Sequence, residues 1–306
     1  MDIFNTIIPI FAIIFIGWFI HDKHFMPQNF LVPANRIVFY LAIPAMIFKA
    51  VSGISFSRSF DFKVLAVAML STTLGYVLGY LLGNALKLKK GSLGTFIQSS
   101  SQGNIGYIGF AVAYYYLGNE GLAKTGLFAG FIMILQNFFS VVALTVWSDR
   151  KTEEQSVRAN IMNQVMLNPI IISAGLGIVF SVAEIPLPLF ISRSLDILGG
   201  MGLPAALLII GASLSLGQVR TKFRVVMTST VIKLILLPAM AMGLFIIWDI
   251  PDTHRLPVLI ILGAPTATVS YVMAGEMGGD TSEAAAAISL CTILSLFTYL
   301  FWLRIT

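Results

Sequence analysis

Gln98-Ser-Ser-Ser-Gln-Gly-Asn-Ile-Gly-Tyr-Ile-Gly-Phe110 and Val258-Leu-Ile-Ile-Leu-Gly-Ala-Pro-Thr-Ala-Thr-Val-Ser270 decide how this chain folds. Each places helix-breaking or polar residues in the middle of a run otherwise apolar enough to cross a bilayer. Lipid offers an opened backbone no hydrogen-bond partner. Unwound chain at membrane depth therefore persists only where it lines a cavity or is buried in protein. A matched pair of interrupted spans in two halves of a chain points to a transporter's substrate site.

Around these segments, the 306-residue chain is 57% hydrophobic and 11% charged, with a mean hydropathy of +0.89. A soluble domain carries about 25% charged residues, so this is the composition of an integral membrane protein. The formal charge of +5 is spread over short connections between apolar runs. That distribution fits an excess of cations in cytoplasmic loops and not a nucleic-acid face. The first run starts at Ile3 behind Asp2, without the basic leader or small-residue cleavage site of a signal peptide, and reads as a permanent span. The single cysteine, Cys291, excludes an intramolecular disulfide.

Runs of about 20 apolar residues mark spanning helices. Ten are expected, at roughly 3–20, 33–53, 62–86, 93–117, 122–147, 162–182, 193–216, 224–247, 256–276 and 282–303. The expected fold is thus all-α and polytopic. The one long polar connection, 148–160, divides the spans five and five and reads as a solvated cytoplasmic linker between repeats 1–147 and 161–306. A shift of 160 residues lays Pro9 on Pro169, Gly17 on Gly177, Pro44 on Pro204, Ala45 on Ala205, Gly83 on Gly243, Gly103 on Gly263 and Gly118 on Gly278 in one ungapped register. Five is odd, so the second repeat lies inverted relative to the first. Lys23, Lys87, Lys89, Lys90, Arg150, Lys151, Arg158, Arg220, Lys222 and Arg224 fall in alternate connections. Those connections are expected on the cytoplasmic side of the cell membrane, with both termini outside.

The fourth span carries Gln98 and then Ser99 to Asn104 as consecutive polar or glycine residues, followed by Gly106. Helical geometry spreads them around the axis, so they cannot all serve one tight interface, and a break lining a cavity is the better reading. In the ninth span Pro265 lacks a backbone donor and clashes with the carbonyl four residues back. Thr266, Thr268 and Ser270 supply hydroxyls beside it. Half-helices starting after Gly106 and Pro265 would turn two positive ends toward each other, making a site for an anion. Lys233 is the one strongly basic residue deep in a span. It either snorkels or serves as an anion contact or the partner of a carboxylate. Glu276 is the nearest candidate acid, or else sits at headgroup level. Gln136 and Asn137 interrupt the fifth span, as interhelical hydrogen bonds or as cavity wall. His21 and His24 share a loop without other metal ligands, and no Walker motif, catalytic triad or metal cluster lies in the spans. Neither cofactor, metal nor enzymatic activity is expected.

The chain resembles the auxin efflux carrier family, which includes plant PIN carriers and bacterial malate or malonate permeases. The resemblance rests on Asn35-Arg-Ile-Val-Phe-Tyr-Leu-Ala-Ile-Pro44, Gly103-Asn-Ile-Gly-Tyr-Ile-Gly109, Asn168-Pro169 and Ala264-Pro-Thr-Ala-Thr-Val-Ser-Tyr271 with Gly278-Gly-Asp280. It implies broken helices four and nine crossing at the membrane centre. It also implies a scaffold of helices one, two, six and seven that often forms a homodimer, a mobile transport domain of helices three to five and eight to ten, and elevator-like exchange of carboxylate anions. Asn104 matches a crossover asparagine that contacts substrate in plant relatives. Those relatives have proline at both crossovers. Here Ile105 stands opposite Pro265, so the first break rests on Gly103, Asn104 and Gly106.

The reading is a secondary transporter of small carboxylate anions, with Gly103, Asn104, Gly106, Pro265, Thr266, Thr268, Ser270 and Lys233 at the site. Glu276, Gln98, Gln136 and Asn137 are expected in coupling or supporting roles. Coupling to a proton or to sodium fits the class equally. Within transport, the rival is a sodium-coupled carrier of the bile-acid type, which abundant buried carboxylates would favour. Outside transport, the rival is a membrane ligand sensor, which would usually append a soluble signalling domain.

Overall fold

The computed structural model describes residues 3–148 and 167–306. Among them the chain is helical throughout, and seven helical runs are long and apolar enough to cross a membrane. These are Ile3–Asp22, Asn29–Ser52, Phe62–Ala85, Ile105–Val146, Leu189–Ala212, Leu216–Ile247 and Thr281–Trp302. Three features separate this count from the expected ten. Helix α6 (Lys90–Ser99) stops before the fourth run. Helix α13 (Asp252–Leu262) and helix α14 (Val269–Met277) are each too short to cross alone. Finally, helix α8 (Pro169–Val182) is a shorter apolar helix, and the start of the expected sixth span lies outside the described residues. So does the expected linker beyond Ser148, including Arg150, Lys151 and Arg158.

Helix α7 (Phe110–Val146) joins what the sequence read as the second half of span four to span five. The run is kinked at Gly118, with φ 70° and ψ −165°. That region is essentially closed to residues with a side chain, so one glycine breaks the helix, directly before the exposed polar pair Asn119 and Glu120.

Helix α1 (Ile3–Asp22) packs along helix α10 (Gly202–Ala212). Its buried residues Ile7, Ile10, Ile14 and Gly17 recur at helical spacing. The two backbones touch through glycine: a Cβ on Gly17 would stand 2.2 Å from the Leu208 carbonyl oxygen, and one on Gly211 1.9 Å from that of Ile14. Lipid gives apolar helices no solvent-driven reason to associate, so close van der Waals approach through small residues must do so. Helix α3 (Ile43–Ser52) meets α8 in the same way, where Gly177 admits Val51. An ion pair ties Lys49 to Asp196 on helix α9 (Leu189–Gly200). The outward faces carry exposed Phe15, Phe19, Leu81, Val179, Ile197 and Phe297, a surface suited to acyl chains.

Helix α11 (Leu216–Val231) and helix α12 (Leu237–Ile247) are joined by a widened π-turn, Ile232–Leu236. A second π-turn, Val38–Ala42, links helix α2 (Gln28–Ile37) to α3. Each lies just before a proline, Pro238 or Pro44, whose missing donor and ring clash open the ladder four residues back. The Leu234 carbonyl, four residues before Pro238, accepts the Trp302 indole N–H at 2.8 Å. Helix α15 (Thr281–Trp302), which carries Trp302, packs along α11. The short α4 (Phe56–Ser59) and the long α5 (Phe62–Ala85) complete the set.

Candidate functional site

The two segments that open the sequence are interrupted, and they meet. Residues 93–113 and 257–267 are buried without exception, as open backbone in a membrane protein requires. Helix α6 ends at Ser99, after which the chain runs non-helically through Gly103 and Asn104 to a π-turn, Ile105–Gly109, that leads into α7. Helix α13 ends at Leu262, and α14 starts at Val269. That start is three residues later than a helix beginning directly after Pro265. Gly103 and Thr266 pair as an isolated antiparallel bridge. The Asn104 amide donates to the Pro265 carbonyl at 2.7 Å, and the Ala267 amide donates to the Gln102 carbonyl at 3.0 Å.

Two carbonyl ends, of α6 and α13, and two amide ends, of the Ile105 π-turn and α14, therefore converge on one point. The carbonyl ends are answered by side chains. The Thr266 hydroxyl donates to the Ser99 carbonyl at 2.9 Å. Gln136 Nε2 donates to the Ser101 carbonyl at 3.1 Å while its Oε1 accepts the Gly103 amide at 3.3 Å. Lys233 Nζ donates to the Leu262 carbonyl at 2.6 Å. The amide ends have no such answer from side chains. Asn104 stands at the first of them, 6% exposed, with its Nδ2 buried and without a hydrogen-bond partner. A buried donor left unpaired costs about 1–3 kcal/mol, which an acceptor brought in from outside would recover.

Lys233 is fully buried in the Ile232–Leu236 turn, so the snorkelling alternative fails: its ammonium has a carbonyl to reach inside the protein. It lies against the crossing, where a Cβ on Gly103 would come within 3.3 Å of its Cε and Nζ. The expectation of Glu276 as its partner is corrected. Glu276 is exposed on α14, and neither residue takes part in any of the described ion pairs. Glu276 sits at the far end of α14 from the crossing, on its exposed face.

Gln136 and Asn137 form interhelical hydrogen bonds and do not stand free on a cavity wall. Asn137 Oδ1 accepts from Gln102 Nε2 at 3.1 Å, and Gln136 is held in turn by Tyr76, whose hydroxyl donates to its carbonyl at 2.9 Å. Gln102 Oε1 also gathers the Ser270 hydroxyl at 3.1 Å and Gln98 Nε2 at 2.7 Å. Ser270 and Thr266 are thus committed to the frame of the crossing. Thr268 is half-buried, and its hydroxyl engages no partner among the described residues. Gly106 admits Ile170 of α8, whose Cδ1 would lie 2.8 Å from a Cβ there.

Two participants were not singled out from the sequence. Cys291 of α15 accepts the Thr266 amide through Sγ at 3.3 Å. Asn35 of α2 accepts the Tyr107 hydroxyl at 2.6 Å. Cys291 gave no signal inside its apolar run, whereas Asn35 is a polar residue in a span and could have been weighed.

A family model described as membrane transport protein matches residues 2–303. An uncharacterised transporter of Methanocaldococcus jannaschii is 25% identical over 97% of this chain and 97% of its own length. A provisionally assigned malonate transporter of Rhizobium meliloti is 25% identical, covering 97% of this chain and 93% of its own. An uncharacterised transporter of Methanothermobacter thermautotrophicus is 22% identical, with 97% and 96% covered. Matched from end to end, and helical and apolar as the family requires, the chain belongs to the membrane transport protein family of auxin efflux carriers.

Proposed function

We propose that this membrane transporter carries small carboxylate anions, with a malonate-like dicarboxylate as the leading substrate. The observation that carries the reading is Asn104: a buried amide donor without a partner, at the amide end of one broken helix where it crosses another. Helix amide ends attract anions. Beside its carbonyl ends, which protein donors already answer, the crossing gathers backbone amides, hydroxyls and one ammonium, a set suited to a carboxylate. A relative provisionally assigned to malonate agrees with it. In this reading Asn104 Nδ2 and the amides after Ile105 hold the carboxylate, Thr268 adds a hydroxyl, and Lys233 offsets charge. Pro265, Gly106, Thr266, Ser270, Gln98, Gln136 and Asn137 shape the crossing.

The larger architecture is part of the same proposal. Ten spans form two inverted five-helix repeats, 1–147 and 161–306. Helices three to five and eight to ten move as a transport domain against a scaffold of one, two, six and seven, through which two copies pair. The movement is elevator-like alternating access, with both termini outside the cytoplasm. The test is a thermal-shift panel on purified protein with malonate, malate and acetate, with and without sodium. A ligand that binds only the folded protein stabilises it by about 2.7 kcal/mol at a hundred times its Kd. Malonate is expected to raise Tm without sodium. A Tm indifferent to every carboxylate would overturn the assignment.

A further inference from the structure

Away from the crossing, Glu283 near the start of α15 is 1% exposed. Its Oε2 accepts the Ser92 hydroxyl of α6 at 2.5 Å. Its Oε1 is buried with no hydrogen-bond partner. The adjacent acid, Asp280, is treated differently. It receives Lys222 Nζ at 2.6 Å, the Ser282 hydroxyl at 2.7 Å and the Glu283 amide at 3.0 Å, and its own amide donates to Thr95 Oγ1 at 2.9 Å. Lys222 of α11 and the surrounding donors hold the Asp280 carboxyl below its ordinary range, overcoming the opposing effect of burial.

Three donors, one of them the positive Lys222 ammonium, thus serve the Asp280 carboxylate, and one hydroxyl serves that of Glu283. An ionised Glu283 would keep a charged oxygen in a buried place without a donor, which is the costly arrangement. A proton on Oε1 removes that charge. No other side chain near this end supplies a compensating charge: Lys90 of α6, Glu276 of α14 and Arg220 and Arg224 of α11 make none of the described ion pairs, and Lys233, in the π-turn after α11, is bound to the Leu262 carbonyl. A metal cation is a poorer fit, because Ser92 is directed to Oε2 and the Asp280 oxygens are occupied.

The position joins the outer ends of both broken helices. Ser92 and Thr95 lie on α6, which leads into the first break, and Asp280 and Glu283 follow directly on α14, which leads out of the second. Charge on Glu283 would require water, and water requires α6 and α15 to part. We propose that Glu283, with Ser92, is a proton-binding site that couples proton movement to transport by this protein. The proton is taken from water onto Oε1 when the contact is open on one side and returned to water when it opens on the other.

The proton site is tested first without substrate, by infrared spectroscopy of the purified protein across pH in sodium and in potassium buffer. The wild type is expected to show the carbonyl stretch of a protonated acid at neutral pH in both buffers, and Glu283→Gln to lack it. Ser92→Ala, which keeps the acid and removes its hydroxyl partner, should shift that band to higher frequency. A band that survives in Glu283→Gln, is absent from the wild type, or disappears in sodium overturns the site.

The coupling rests on the carboxylate reading and is tested in proteoliposomes. An acid-outside gradient of one pH unit drives about tenfold accumulation per coupled proton at equilibrium. The wild type should accumulate malonate under that gradient, and Glu283→Gln should not. Gradient-driven accumulation retained by Glu283→Gln overturns the coupling. A wild type that neither binds nor accumulates any carboxylate sinks the substrate reading instead, and leaves the infrared result to decide the proton site.

Discussion

Asn104 is the residue on which most depends, because its unpaired Nδ2 is a cost to the protein by itself and a substrate contact in the proposed function. Its replacement by alanine removes an unsatisfied group, so stability should hold or rise slightly. Loss of one hydrogen bond to a charged ligand is about 1.5–3 kcal/mol, or a roughly ten- to hundredfold rise in the Kd for malonate. Isothermal titration with Asn104→Ala checks this, and an unchanged Kd would remove Asn104 from the site. At this scale the sequence was informative where residue type alone decides the backbone: Gly103 and Pro265 bend it, and Asn104 follows the bend. It was uninformative for Lys233. The partner of that ammonium is a main-chain carbonyl at Leu262, and carbonyls carry no residue signature. It also gave no sign of Glu283, at the very start of the tenth apolar run, since burial against Ser92 from α6 is not visible along the chain.

Among the elements, the closest contact is that of α1 with α10, where backbones meet through Gly17 and Gly211. Backbone cannot step aside as a flexible side chain can. Gly211→Ala should therefore cost at least the 1–3 kcal/mol typical of overpacking, by about that order, and Gly17→Ala should behave alike. Gly243→Ala on α12 meets nothing within 4 Å and is the control, expected to leave Tm level or higher. Thermal unfolding of the three purified variants in detergent decides it, and equal Tm values would refute the close approach. The run lengths of most helices could be read from hydropathy. The π-turns before Pro44 and Pro238 could not, because a widened turn keeps the same apolar composition. The break at Gly118 was legible as Gly118-Asn-Glu-Gly121 between two apolar runs, but the backbone angles that make it a kink within one helical run were not.

On the scale of the whole molecule, the register that superposes Gly103 on Gly263 and Pro44 on Pro204 underlies the proposed inverted halves. The basic connections set the proposed orientation. Alkaline phosphatase fused after Thr306 should be active, and a fluorescent protein placed in the 148–160 connection should fold and fluoresce. The opposite pattern would reverse the orientation. Interrupted helices could be foreseen from composition, and their meeting from the facing half-helix ends and the family resemblance, but the pairing of Gly103 with Thr266 could not, since a backbone bridge across that separation leaves no local trace. That meeting has a mechanical meaning. Asn104 gives its amide to Pro265, and Ala267 gives its amide to Gln102, so each strand is sewn to the other by its own backbone. Loosening one thread loosens both, so the two breaks are fastened as a single piece.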